Sequence, residues 1–224
     1  MARVVILGAG GHAQVVADIL LRAEEIGGAV SPLAYLDDDP ALHGKILLGL
    51  PVLGSLAELV MVEHDAVVVA IGNNETRRWL YRTLAERGEQ FAIARHPAAV
   101  LAPDAQIGPG TMICAGVVVN TGSVIGANTI LNTGCTVDHH NRVGEHAHIA
   151  PGAHLGGEVL VGEGALVGIG ATVMPRCSVG AWSTVGAGAC VTRPVPPGVT
   201  VVGVPAAPVR DRAEKDTAER STLR

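Results

Sequence analysis

Five of the nine histidines fall between positions 139 and 154: His139, His140, His146, His148 and His154. Imidazole is the side chain best matched to taking up and returning a proton near neutral pH, with an unperturbed pKa of ~6.5. The cluster therefore points first to general-base chemistry, with a metal site or plain surface histidines as rivals. A second candidate lies at the other end of the chain. Gly8-Ala9-Gly10-Gly11-His12 follows a short apolar run and precedes a helical stretch. Glycines there let the backbone approach a phosphate, and the helix N-terminus offers free N–H donors. The third glycine of the dinucleotide fingerprint is missing, because position 13 is Ala. Asp37 and Asp38 close the next apolar run, where acidic groups often bind a ribose or base edge. A glycine turn without ligand and a solvated acidic turn are the plain alternatives. Covalent catalysis has no support, since the chain lacks a Gly-x-Ser-x-Gly elbow. Cys114, Cys135, Cys177 and Cys190 form no Cys-x-x-Cys pair, so neither disulfides nor a zinc site are expected.

The first segment, residues 1–97, must hold the glycine turn. Val4 to Leu7, Leu33 to Leu36 and Ala66 to Ile71 are continuous apolar runs. Helical patterns, Gln14 to Ile26 and Glu75 to Arg87, alternate with them. Apolar strands alternating with helices predict a parallel sheet covered on both faces, a small Rossmann-like α/β domain.

The second segment, residues 98–210, must hold the histidines. Every sixth residue from Leu101 to Val191 is Leu, Ile or Val, sixteen positions without interruption. Two places before each stands a residue that is nearly always small, such as Thr111, Cys135, Ala153 or Ala171. One place after, half of the positions are Gly. A hexapeptide period of this kind marks a parallel β-helix in which three hexads close one triangular coil. The aliphatic residue fills the interior, the small residue packs near the corner, and the glycine is expected to permit the turn. Cys135 and Cys177 fall in the small phase and read as packing residues. His139, two residues past Val137, should stand on the outer surface. His148 and His154 each precede an aliphatic position and should also point outward.

The whole chain has 224 residues, 48% hydrophobic but only 2% aromatic, with 29 glycines and a formal net charge of −5. Its only lysines are Lys45 and Lys215, which argues against nucleic-acid or anionic-membrane surfaces. No apolar run approaches a membrane span or signal peptide, so a cytoplasmic protein is expected. The charged end, residues 211–224, reads as a disordered tail.

Together these residues resemble the sugar acetyltransferases of the left-handed β-helix superfamily. They are most similar to the bacterial UDP-amino-sugar N-acetyltransferases of the bacillosamine pathway and their sialic acid O-acetyltransferase relatives. The resemblance rests on Gly8-Ala9-Gly10-Gly11-His12, Leu36-Asp37-Asp38, Ala70-Ile71-Gly72-Asn73-Asn74-Glu75, Ile130-Leu131-Asn132-Thr133, Val137-Asp138-His139 and Gly203-Val204-Pro205-Ala206. It implies a homotrimer with acetyl-CoA as co-substrate, held in the groove between neighbouring β-helices, and no metal. It implies that Gly10, Gly11, His12, Asp37, Asp38 and Gly72 hold a nucleotide-linked amino sugar. His139 matches the catalytic base, His148 the histidine near the acetyl donor, and Ile169 and Ala187 the CoA channel. Two positions depart from the pattern. The residue after the base is usually Asp or Glu, which orients the ring. Here it is His140, with Asp138 before the base as the alternative orienting group. After Val-Pro-Ala the family commonly has Lys or Arg; here it is Ala207, leaving Arg210 as a substitute phosphate contact.

The resulting expectation is acetyl transfer from acetyl-CoA to the amine of a nucleotide-linked amino sugar, for glycan or O-antigen precursor synthesis. O-acetylation of sialic acid or another sugar is the near alternative. A non-catalytic nucleotide-sugar-binding β-helix and a three-histidine β-helix carbonic anhydrase come from other classes.

Overall fold

The computed structural model describes residues 1–209. Arg210 and the charged segment 211–224 lie outside the described residues. The N-terminal sheet comprises β1 (Ala2–Leu7), β2 (Val30–Leu36), β3 (Ile46–Leu47), β4 (Leu50–Gly54) and β5 (Ala66–Val69), in spatial order β3-β4-β2-β1-β5. β1 pairs in parallel with both β2 and β5. Val4 and Ile6 face one side of the sheet and pack with helix α1 (Gly11–Glu25) through Val16 and Leu20. Val5 and Leu7 face the other, with Leu80 and Leu84 of helix α2 (Asn74–Glu86). Burial on both faces explains why β1 reads as an unbroken apolar run rather than an alternating one. The β3–β4 hairpin had no clear signal. Its turn, Leu48-Gly49, has positive φ at both residues (50° and 82°), and Leu is an unusual choice there.

From Ala94 onward the chain winds into a left-handed β-helix with three parallel sheets. Strands pair at a spacing of three hexads: Val118 faces Val100 on one side and Thr136 on the other. Backbone bonds repeat with the same step, as in Ile130 N–H to Ala147 O at 3.0 Å. From Ile113 onward every aliphatic position of the repeat is buried; Leu101 and Ile107 are half-buried at the open end. Each buried aliphatic side chain contributes about 1.5–3 kcal/mol. The small phase is buried too from Thr111 onward, including Cys135 and Cys177, and Cys114, one place after Ile113, is buried beside it. After Val191 the register changes. The strand Thr200–Val202 pairs with Thr184–Val185 and ends the solenoid beside Ala207–Pro208.

The glycine that follows each aliphatic position is not there to permit the turn. At Gly126, Gly144 and Gly162 the backbone φ is not positive. A Cβ there would lie 2.5, 2.6 and 2.4 Å from a backbone nitrogen of the next coil, so glycine is required by close approach of neighbouring coils. The left-handed corner falls three residues after the aliphatic position. Gly110, Gly134, Gly152 and Gly170 occupy it, but so do Asn128 (54°), His140 (58°), His146 (59°) and Trp182 (58°). Two of the five clustered histidines are thus corner residues, a placement costly for most side chains.

Candidate active site

The glycine turn is built as a phosphate cradle requires. Gly8 has φ of 105°, and a Cβ there would meet Ala70 O at 3.1 Å, so the turn itself demands glycine. Gly10 and Gly11 differ: a Cβ on either would meet nothing within 4 Å. Their small size serves no internal packing and leaves open space at the start of α1. That helix has no side-chain cap and no acidic residue in its first turn. By contrast, Asn73 caps α2 by accepting from Thr76 N–H at 2.9 Å. The α1 N–H groups and the positive end of its dipole are therefore free for an anion.

Asp37 and Asp38 divide their work. Asp37 accepts from Ala9 N–H at 2.6 Å and from Asp39 N–H at 2.8 Å, so both of its oxygens already hold backbone. It fixes the glycine turn against the end of β2. Asp38 Oδ1 accepts from Leu56 N–H at 2.9 Å. Both line a groove of about 210 Å³ with Gly8, Ile71 and the exposed Trp79.

The sequence carried no signal for the residue that joins the domains. Arg77, one of several polar residues on α2, is fully buried. Its guanidinium donates to Asn128 O (3.0 Å), Ile71 O (3.0 Å), His146 O (2.7 Å) and Asn74 Oδ1 (2.8 Å). Burial lowers its pKa to about 9, which leaves it charged at neutral pH. Asn74 donates in turn to Gly164 O at 3.0 Å. Arg78 pairs with Glu163 at 3.1 Å and lies over the Trp182 ring at 5.2 Å. These contacts seat α2 on one corner of the solenoid.

The histidines separate into two groups. His146, a surface candidate from sequence, is buried: it meets the Asn128 side chain at 2.9 Å and stands edge-on to Tyr81. His148 leaves the solenoid outward as expected, but the N-terminal domain covers it. Its ring centroid lies 6.5 Å from that of His12, and its Nε2 meets Asn132 Nδ2 at 3.1 Å. Burial, with the Arg77 charge nearby, lowers His12 and His146 to about 4 and His148 to about 3. All three are neutral near pH 7. His12 Nε2 is buried and finds no hydrogen-bond partner among the described residues. His148 also borders a cleft of about 240 Å³ with Gly72, Asn73, Glu75 and Trp182. Gly72, where a Cβ would again meet nothing within 4 Å, opens that cleft.

The second group is on a different corner. His139 and His140 are exposed, their Nδ1 atoms 3.2 Å apart and their rings nearly perpendicular at 76°. The His139 ring lies over Gly157, where a Cβ would come within 2.5 Å of Cε1 and Nε2. Asp138 does not touch either ring. Its Oδ1 accepts from Asn120 Nδ2 (2.9 Å) and from His139 N–H (2.8 Å), which hold its carboxyl below the usual carboxylate range. His154 is exposed and bonds Thr136.

Ile169 and Ala187 occupy a third corner, on successive coils and both exposed, joined by Gly188 N–H to Ile169 O at 2.8 Å. Gly168, Gly170, Gly186 and Gly188 flank them, giving a smooth apolar strip suited to an extended thioester carrier. One chain thus brings Gly10, Gly11, His12, Gly72 and His148 to one side of the solenoid, beside Asp37 and Asp38. It puts Asp138, His139 and His140 on another corner and Ile169 with Ala187 on the third. Among the described residues no group of three or more His, Cys, Asp or Glu is arranged to hold a metal ion, and no helix is long and apolar enough to cross a membrane.

A nucleotide-type α/β domain seated on a hexapeptide solenoid, with imidazole on an open corner, defines an acyltransferase of the left-handed β-helix class. Residues 3–84 match the PglD N-terminal domain family, and residues 158–193 match the bacterial transferase hexapeptide (six repeats) family. No curated protein sequence matches the chain. Among solved structures, a variant of perosamine N-acetyltransferase from Caulobacter crescentus, in complex with CoA and GDP-perosamine, is 40% identical with a TM-score of 0.85. The match covers 93% of this chain and 97% of that one. The acetyltransferase domain of PglB from Neisseria gonorrhoeae FA1090, in complex with acetyl coenzyme A, is 37% identical (TM-score 0.85; 93% and 99% covered). WeeI from Acinetobacter baumannii AYE is 30% identical (TM-score 0.82; 92% and 99% covered). The chain belongs to this family of acetyl-CoA-dependent sugar N-acetyltransferases.

Proposed function

We propose that the protein transfers an acetyl group from acetyl-CoA to the amine of a nucleotide-linked amino sugar, with His139 as general base. The carrying observation is the open α1 N-terminus beside Asp37 and Asp38, joined rigidly to a solenoid that presents His139 over Gly157. The N-terminal groups bind the nucleotide; Ile169 and Ala187 border the pantetheine arm. The sugar amine attacks the thioester carbonyl while neutral His139 Nε2 takes one of its protons. The tetrahedral intermediate collapses, the C–S bond breaks, and His139 returns that proton to the CoA thiolate. The products are an acetamido sugar and free CoA thiol. Backbone N–H groups or His148 stabilise the oxyanion. No acyl-enzyme is required, because holding both substrates in one groove supplies much of the rate.

The active assembly is a homotrimer, with each site built from two chains. The support is topological: the nucleotide side and the His139 corner face different directions in one chain. A neighbouring solenoid must close the distance. The test is a thiol-release assay with acetyl-CoA over UDP-, GDP- and CMP-linked amino sugars and their hydroxyl analogues, paired with light scattering. Release with an amino sugar and a trimeric mass are expected. Release only with hydroxyl acceptors, or full activity in a monomer, would overturn the reading.

A further inference from the structure

His139 and His140 form a contact that the rest of the corner is arranged to hold. The two Nδ1 atoms are 3.2 Å apart, so one ring donates N–H and the other accepts with its lone pair. His140 adopts φ of 58°, in the left-handed corner where Gly122 stands one coil earlier. A side chain is costly at such a position, and glycine or asparagine would avoid the strain. The next coil back leaves room for the imidazole: a Cβ on Gly122 would come within 2.7 Å of His140 Cδ2. Gly122 N–H and the Thr121 hydroxyl both donate to Asp104 Oδ2, at 2.9 and 2.7 Å. These two hydrogen bonds hold the Asp104 carboxyl below the usual carboxylate range, on the His140 side of the corner. Asp138 is turned away, its Oδ1 bonded to Asn120 and to backbone.

We propose that His140 is a positioning residue for His139: its Nδ1 accepts the His139 Nδ1–H, which fixes the His139 tautomer with the Nε2 lone pair free for the substrate amine. This rests on His139 being the base. A neutral imidazole replaces a carboxylate as orienting partner, and Asp104 supplies negative charge one group further out. When His139 takes the substrate proton at Nε2, the charge forms on a ring whose Nδ1–H is already held. The same proton leaves from Nε2 to the CoA thiolate, so none need pass to His140. The other charged groups near the pair are Asp138, next to His139 on the same coil, and Glu158 with its partner Arg176 on the coils above, 3.6 Å apart.

The experiment compares His140→Gly, His140→Asp and His139→Gln in the full-length enzyme, using the acceptor found by the thiol-release panel. His140→Gly removes the ring while suiting the left-handed corner, so the fold is kept. We expect kcat to fall about 10–100-fold, the range found when the group that orients a metal-bound histidine is lost, with both KM values unchanged. His140→Asp should restore most of kcat and move the rising limb of the pH–rate profile to higher pH, because a carboxylate strengthens proton binding on His139. A His140→Gly enzyme at full rate, beside an inactive His139→Gln enzyme, would overturn the positioning role and leave His139 as base. A fully active His139→Gln enzyme would overturn the base assignment itself. If His140→Gly were then inactive, the base would be His140.

Discussion

The Arg77 guanidinium, carried on α2 of the N-terminal domain, donates to the carbonyl oxygen of His146 in the solenoid at 2.7 Å. It satisfies backbone of both domains at once, Ile71 on one side and Asn128 and His146 on the other. A buried cation without a carboxylate is held by carbonyl dipoles alone, so its desolvation is offset only while every bond is made.

Arg77→Met should therefore be strongly destabilising. The apolar stem is kept, but several buried carbonyls lose their donor. The expected loss is about 3 kcal/mol or more, read by denaturant unfolding at fixed protein concentration. Arg77→Lys should also lose stability, because one ammonium cannot reproduce the planar fork. Equal midpoints for wild type and Arg77→Met would show that the joint is not held in this way.

The joint should also be acid-sensitive. His12 and His146 titrate at about 4 and His148 at about 3 in the folded chain, through burial and the Arg77 charge. Unfolded, each would titrate near ~6.5. Between these values the unfolded chain binds more protons, so unfolding becomes easier as pH falls. This stability is present above about pH 6.5 and is lost as the pH drops through about 4. Asp65, Asp104 and Asp138 have lowered pKa values and act only below the ordinary carboxylate range. His64 is raised: burial opposes this, but the Val62 carbonyl and Glu89 outweigh it. Its contribution is present throughout this acid window and is lost only as pH rises through its folded value. A decline in unfolding midpoint between pH 6.5 and 5, reduced in His148→Gln, is the expected result. A flat midpoint over that range would contradict it.

Asp38 and Asp37 should separate in kinetics. Asp38 lines the groove, and Asp38→Ala should raise KM for the nucleotide sugar while leaving KM for acetyl-CoA nearly unchanged. Asp37→Ala removes the acceptor for Ala9 N–H and should loosen the glycine turn, costing thermal stability as well as binding. If Asp38→Ala raised both KM values equally, or neither, Asp38 would not belong to the acceptor site.

The solenoid could be read from sequence because its contacts repeat locally: Val137 and Leu155 face the interior for the same reason, one coil apart. The glycine turn was equally legible, since Gly8 takes a positive φ of 105° that favours glycine whatever packs against it. What depends on contact between the domains was not. Arg77 lies in a polar stretch, Asn74-Glu75-Thr76-Arg77-Arg78, and nothing in that pattern separates the fully buried arginine from its half-buried neighbour Arg78. The sequence left both His146 and His154 as candidates for plain surface histidines. The first lies under α2 beside Tyr81, whereas the second faces solvent. The glycine after each aliphatic residue was visible, but its cause, close approach of the next coil, is a relation between residues about nineteen apart.

His139 stands on an open corner of the solenoid. Its side chain is exposed and rests on Gly157, so removing it opens no cavity. His139→Ala should leave thermal stability within about 0.5 kcal/mol, the range for surface substitutions away from special features. As the general base it contributes roughly 10²–10⁴-fold to kcat, and the variant should lose that factor. The wild-type rate should rise as pH increases through the range where imidazole deprotonates and then level off, because only the neutral ring accepts the amine's proton. That rising limb should vanish in His139→Ala. It should persist in His148→Gln, because burial already keeps His148 neutral down to about pH 3. A full-rate His139→Ala enzyme with the wild-type pH profile would sink the mechanism. Loss of the limb in His148→Gln alone would transfer the titrating role to the half-buried His148.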